Sequence, residues 1–239
     1  MGVDIISISW GFDTTQPKIE EALKLASSKD ILIFASASND GRNKKDLCFP
    51  AKLSFVFAIG AADVNGTDAG FSPPRLTNDY QYSVLGVGVS GKSSNVATKC
   101  DPSDQQGRSF SSRVKSGCSF ATPIAVGITA LLLSFLRSYE LCPRGPAVRS
   151  TITKLFLAIS SASKNKDYRN LCPWVLCEGI ASKDILTNLV TILNAPPGTK
   201  YHFTLFNFQW TMILQRRFIE DSKSLKVSLS KAGISRFRS

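Results

Sequence analysis

Apolar runs and amphipathic stretches alternate along the first 137 residues of the chain. Val3 to Ser9, VDIISIS, is short, rich in Ile and closed by the turn-like WGFDTTQP, which predicts a strand buried on both faces. Pro17 suits a first helical turn, and Ile19, Leu23 and Ala26 then share one face while Lys18, Glu20, Glu21 and Lys24 lie mostly off it, so a helix follows. Ile31 to about Ser38 gives a second strand, ended by NDG. Strand, helix and strand in this order form a βαβ unit, whose strands run parallel with a right-handed crossover. Ser54 to Ala62 and Tyr82 to Ser90 are two more apolar runs, separated by a loop full of turn residues. The expected fold class is therefore α/β, a parallel sheet in three layers with helices on both faces.

Residues 91–115 are polar and Ser-rich and read as a surface connection or hairpin. From Ser116 to Leu136 no residue is charged, which predicts a helix buried on all sides; the length would also span a bilayer, but Ser, Cys, Thr and Pro fill its first third and no membrane partner is expected. Beyond Arg137 two prolines break the helix, and TITKLFLAISSA and ASKDILTNLVTILN read as amphipathic helices on either side of YRNLCPWVLC. The predicted organisation is a main domain over 1–138, a C-terminal helical extension over 139–194 and a basic tail of unassigned structure over 195–239.

Charge changes this picture little. The net charge is +11, but residues 195–239 hold eight Lys or Arg against Glu220 and Asp221, so most of the excess sits in the tail, where no nucleic-acid-binding module is recognisable and no such partner is expected. Six cysteines form no C-x-x-C pair and there is one histidine, His202, so a zinc site is not expected. No cofactor is implied, and the loops DVNGTDAG and DPSD carry carboxylates without a recognisable calcium pattern. MGVDIISIS lacks a basic leader, which favours reduced thiols and an intracellular setting. Oligomeric state is not readable.

Functional groups of an α/β sheet gather beyond the carboxyl ends of its strands. Ser9, Trp10 and Gly11 close the first strand, Asn39 follows the second, and Ser119 opens the long apolar helix in KSGCSFATP. A serine at a helix N-terminus meets unpaired N–H groups and the positive end of the helix dipole, which favours negative charge on a nearby oxygen. The Ser119 N–H and the Asn39 side-chain amide would then be the two donors of an oxyanion hole. Gly117 is expected to allow a tight turn before the serine, and Pro123 to be tolerated within the first helical turn. Cys118 could itself be a thiol nucleophile, but packing is the commoner use of a small buried cysteine.

SGCSFATP resembles the G-T-S-x-A-x-P serine motif of the subtilases, the subtilisin-like serine peptidases. VDIISISWG is similar to their substrate-binding strand, ILIFASASNDG to the strand ending in the oxyanion asparagine, FPAKLSFVFAIGAADVNG to a segment of the form P-A-x-x-x-x-V-x-x-V-G-A, and FSPPR to the F-S-x-x-G that follows it. Order and approximate spacing agree from residue 3 to about 137.

The resemblance implies a partial subtilisin-like fold and a serine endopeptidase acting on protein or peptide substrates through an acyl-enzyme at Ser119, with Asn39 as oxyanion donor. It implies that Ser9, Trp10 and Gly11 pair with the substrate main chain by strand addition, and that Ala35, Ser36 and Ala37 line the first specificity pocket. Cys118 replaces the motif's Thr, Ser38 the Gly before the oxyanion Asn, and Ile124 follows Pro123 where many members have His; the T-P-I-A form and YRNLCPWVL are similar to intracellular subtilases of filamentous fungi. In the family the catalytic Asp and His lie upstream of the substrate-binding strand, and neither of their motifs is in this sequence. The expectation is a subtilisin-like domain without its N-terminal third, inactive alone; the alternative is a non-catalytic pseudopeptidase or peptide-binding protein.

Overall fold

A computed structural model describes residues 2–43, 46–74, 80–92, 112–143, 145–162, 168–177 and 182–196. Two compact units divide the chain, Met1–Lys200 and Tyr201–Ser239. The second unit, with His202 and nearly all of the predicted basic tail, lies outside the described residues.

The βαβ unit forms as its pattern dictates. Strand β1 (Ile5–Ile8) leads through helix α1 (Pro17–Ser28) to β2 (Leu32–Ser36), and β1 pairs parallel with β2, Ile5 beside Leu32 and Ile8 beside Ala35. Pro17 begins α1, where a missing N–H removes no helical bond, and Asp30 ends the connection at φ 63. Strand β3 (Phe57–Ala62) pairs parallel with β2, and β4 (Gln81–Leu85) parallel with β3. Every residue of β2 and β3 is buried, which is why these strands read as continuous apolar runs without alternation.

The apolar run Tyr82–Ser90 is not one strand. β4 ends at Leu85, and β5 (Val89–Lys92) turns away to pair antiparallel with β6 (Ser112–Lys115). The break falls on Gly86 and Gly88: a Cβ on Gly86 would lie 2.7 Å from Ala61 Cβ, and Gly88 adopts φ 72, a conformation open to glycine.

Helix α2 (Cys118–Ser138) lies against β1 to β4, burying Ala121, Ala125, Thr129, Leu132, Leu133 and Leu136. Among the described residues it is the one helix long and apolar enough to cross a membrane, and its sheet-facing side is part of the core. Arg137 near its end donates to Asp4 before β1, at 2.9 Å from Nη1 to Oδ2.

Residues 139–194 contain helices where they are expected, α3 (Ala147–Ala158) and α4 (Ser182–Asn194), but the first begins and ends earlier than TITKLFLAISSA predicts, and Ser160–Ala162, read as its end, is one of two strands that periodicity did not show. β7 (Ser160–Ala162) pairs antiparallel with β8 (Arg169–Leu171), which runs parallel to β4, so the sheet order is β1-β2-β3-β4-β8-β7. Phe156 of α3 meets Tyr82 at 5.0 Å between centroids, and Phe34 stacks on Phe57 at 4.7 Å, joining β2, β3, β4 and α3 in one aromatic core. Arg149 on α3 lies over the Phe57 ring and donates to Ser27 Oγ at 2.9 Å and to the Phe55 carbonyl.

Candidate active site

The carboxyl ends of β1 and β2 and the first residues of α2 meet at one place. After β2, Ala37 N–H still donates to the Ile59 carbonyl at 2.9 Å, and the chain then reverses at Ser38, whose φ is 136. This is a backbone region that L side chains rarely adopt. Two contacts hold it: Ser38 Oγ accepts the Asp40 N–H at 3.1 Å, and the Ser38 carbonyl accepts the Cys118 thiol at 2.9 Å.

Asn39 follows. Its Oδ1 accepts the N–H of Cys118, an unpaired donor of the first helical turn, at 2.8 Å. Only the carbonyl end of the amide can accept, so this bond fixes Nδ2 as the outward donor. Gly117, before α2, shows where it is aimed: a Cβ there would lie 3.2 Å from Asn39 Nδ2 and 3.2 Å from Ser119 Oγ. One empty position thus faces both the amide donor and the hydroxyl. The amide donor and the hydroxyl therefore border the same small space beside Gly117.

Gly117 does not make a tight turn. Its φ 161 and ψ 154 are extended backbone that any residue adopts, so the reason for glycine here is the room its missing side chain leaves. The expectation for Pro123 is corrected as well. Because α2 begins at Cys118, Pro123 lies beyond the first turn, and the N–H it lacks is the one that would bond the Ser119 carbonyl. Ser9 Oγ donates to that carbonyl instead, at 3.1 Å, tying the end of β1 to the serine.

Cys118 is fully buried, its thiol donating to Ser38 and lying 3.6 Å from Ser72 Oγ. Burial pushes its pKa up, so the thiol stays neutral and serves packing. Ser119 beside it is half-buried and keeps an open side. Ser116 Oγ accepts the Gly88 N–H at 3.0 Å and Gly117 N–H donates to the Gly86 carbonyl at 2.8 Å, clamping the entry to α2 onto the end of β4.

Of the residues expected to hold substrate, Ser9, Trp10 and Gly11 form an exposed edge after β1, with Trp10 half exposed and its ring edge-on to Phe12 at 5.5 Å. Ala35 and Ala37 are fully buried and Ser36 nearly so, which leaves the backbone of this segment for the neighbouring space. Two contributors escaped sequence reasoning. Cys48 packs between the two segments, and Ser72 links Ala61 of β3 to Cys118, accepting the Ala61 N–H at 3.0 Å. The motif-like FSPPR held Ser72 in view without a role, and nothing local marked Cys48.

Asn39, Gly117, Ser119 and Ser9 are brought together, and His202, the one histidine of the sequence, lies outside the described residues. No group of three or more His, Cys, Asp or Glu able to hold a metal occurs among the described residues.

The model of the subtilase family matches residues 1–155. A thermostable alkaline protease of Halalkalibacterium halodurans is 33% identical over 135 residues, covering 56% of this chain and 32% of that protein. The subtilisin-like protease het-Q2 of Podospora anserina is 33% identical over 149 residues, 59% of this chain and 37% of that protein. This chain therefore spans well under half the length of either relative. Among solved structures, the prenylagaramide maturation protease PagA superposes with a TM-score of 0.54 at 27% identity, over 72% of this chain and 57% of its own.

Proposed function

The chain belongs to the subtilase family, and on that footing we propose that it carries the nucleophile and oxyanion half of a serine endopeptidase acting on extended protein or peptide substrates. Support comes chiefly from the one open position facing both Asn39 Nδ2 and Ser119 Oγ at 3.2 Å.

In this reading a substrate strand lies along Ser9 to Gly11, its main chain adding to the free edge. The Ser119 oxygen attacks the scissile carbonyl carbon, the carbonyl electrons move onto its oxygen, and that oxygen settles between the Asn39 amide and the Ser119 N–H. Collapse of the intermediate expels the amine and leaves an acyl-enzyme on Ser119, which water then cleaves. The proton of Ser119 must pass to a base, and the described site contains no histidine to receive it.

The exposed edge of Ser9–Gly11 also suits a second reading, in which the site holds peptides without cutting them. Labelling of the native protein, purified from its source, with a fluorophosphonate separates the two, because this reagent phosphonylates only an activated serine. A phosphonyl group located on Ser119 by peptide mass spectrometry supports the peptidase. An unlabelled Ser119 in a protein that still binds an extended peptide supports the holding role.

A further inference from the structure

The turn that carries Asn39 is braced by one short segment that follows β3. Two residues after Asn39, the N–H of Gly41 donates to the Phe71 carbonyl at 2.9 Å, and a Cβ on Gly41 would overlap the Ser72 carbonyl and lie 2.7 Å from the Pro73 nitrogen. The chain at Gly41 therefore lies flush on the Ser72–Pro73 peptide. Ser72 is itself anchored to the sheet. Its Oγ accepts the N–H of Ala61, a fully buried residue of β3, at 3.0 Å and lies 3.3 Å from the Ala61 carbonyl.

The same oxygen faces the start of α2. Ser72 Oγ is 3.6 Å from Cys118 Sγ, and the Cys118 thiol gives its hydrogen to the Ser38 carbonyl at 2.9 Å, so towards Ser72 the sulfur is an acceptor. A chain of contacts thus runs from Ala61 through Ser72 and Cys118 to Ser38, while the Cys118 N–H holds Asn39 Oδ1. Cys118 and Ser38 are both positions where this sequence departs from the subtilase motifs, which carry Thr and Gly there. A non-glycine residue at φ 136 keeps that conformation only where its surroundings impose it.

We propose that Ser72 is a positioning residue for the oxyanion donor: bracing Gly41 through its backbone and Cys118 through its hydroxyl, it fixes the Ser38–Asn39 turn and with it the place of Asn39 Nδ2 beside Ser119. This deepens the reading of Ser119 as nucleophile and Asn39 as oxyanion donor, and rests on it. The Ser72 hydroxyl is directed to Ala61 and Cys118, so it acts through the turn and not on substrate.

A double-mutant cycle in the full chain tests this, with a tetra-alanine boronic acid as the probe. Boron takes the Ser119 oxygen and the hydroxyl proton leaves to solvent, so the readout needs no turnover. Ser72→Ala is expected to weaken the probe about 10-fold, within the range found for members of one hydrogen-bond network. In an Asn39→Asp background, where the donor is already gone, the same change should cost less than about 2-fold. Ser72→Cys keeps a weaker donor and acceptor and should fall between wild type and Ser72→Ala; if Ser72→Ala does not fold, the cycle is run with Ser72→Cys. Unchanged affinity in the folded Ser72 variant, or an equal loss in both backgrounds, overturns the assignment of Ser72 alone. A wild type that does not bind the probe overturns the nucleophile and oxyanion reading, and this proposal with it.

Discussion

The hydroxyl of Ser9 occupies the place of a helical N–H, donating at 3.1 Å to the Ser119 carbonyl that Pro123 cannot reach. A proline inside a helix normally leaves such a carbonyl bare. Here the vacancy becomes a tie between the expected substrate edge and Ser119. Ser9→Ala is predicted to lower stability by about 1 kcal/mol, since the bond is exposed and water replaces part of it. Urea unfolding measures it, and an unchanged midpoint would show that the tie contributes nothing.

Asn39 has two separable duties. Its Oδ1 caps the Cys118 N–H, and its Nδ2 faces the open position beside Ser119. Asn39→Asp keeps an acceptor and loses the donor, whereas Asn39→Ala loses both. Thermal unfolding should therefore show Asn39→Ala destabilised by about 1–2 kcal/mol, as for a lost helix cap, and Asn39→Asp by clearly less. Equal losses would mean that the cap is not what Oδ1 provides.

Gly117→Ala should fold, because its extended backbone accepts any residue, yet fill the position shared by Asn39 and Ser119. Peptide boronic acids probe that position: boron accepts the Ser119 oxygen, the hydroxyl proton goes to solvent, and a boron-bound oxygen takes the place of the oxyanion. Their affinity for Gly117→Ala is expected to fall, by up to about 100-fold to 1,000-fold if the methyl screens Asn39 Nδ2 from the adduct as fully as removing that donor would. Retained affinity in a folded variant would place the oxyanion site elsewhere.

Ser38 stands at φ 136. Non-glycine residues in such regions cost on the order of 1–3 kcal/mol, and the hydrogen bond from Asp40 N–H to Ser38 Oγ offsets only part of that. Ser38→Gly is expected to raise stability by about 1 kcal/mol in denaturant unfolding. A loss would mean that the Oγ bond outweighs the strain.

Arg137 binds Asp4 and holds its carboxyl below the ordinary value of 3.8. The folded chain then keeps Asp4 ionised at a pH where the unfolded chain takes up a proton. The pair's contribution is complete above pH 3.8 and is lost as pH falls below that value toward the lowered one. Asp4→Asn should therefore reduce the melting temperature at neutral pH, and the difference from wild type should shrink on acidification well below pH 3.8. A constant difference across that range would assign the effect to packing.

Where one local rule decided the structure, the sequence was readable. VDIISIS, the Pro17 helix and ILIFASAS announce β1, α1 and β2, because a strand buried on both faces and an amphipathic helix leave different patterns. Tyr82 to Ser90 misled because an apolar run does not record that Gly86 is pressed against Ala61 and Ala121, where the chain must leave the sheet. β7 and β8 are three residues each and owe their pairing to the open edge of β4, which no local pattern reports. At the site, Ser119 and Asn39 were visible through their motifs. The reasons for Gly117 and Pro123 were not, since both depend on which side chain lies across the cleft. Cys48 was hidden for the same reason: its position follows from the pairing of Phe12 with Phe49, distant in sequence.

The central claim is that Ser119 Oγ and Asn39 Nδ2 face one shared position, and boron NMR of the full chain with a peptide boronic acid tests it most directly. The account predicts a shift from trigonal to tetrahedral boron on binding, abolished in Ser119→Ala and weakened in Asn39→Asp. A boron that stays trigonal in the wild type, or a tetrahedral adduct that survives Ser119→Ala, would contradict it.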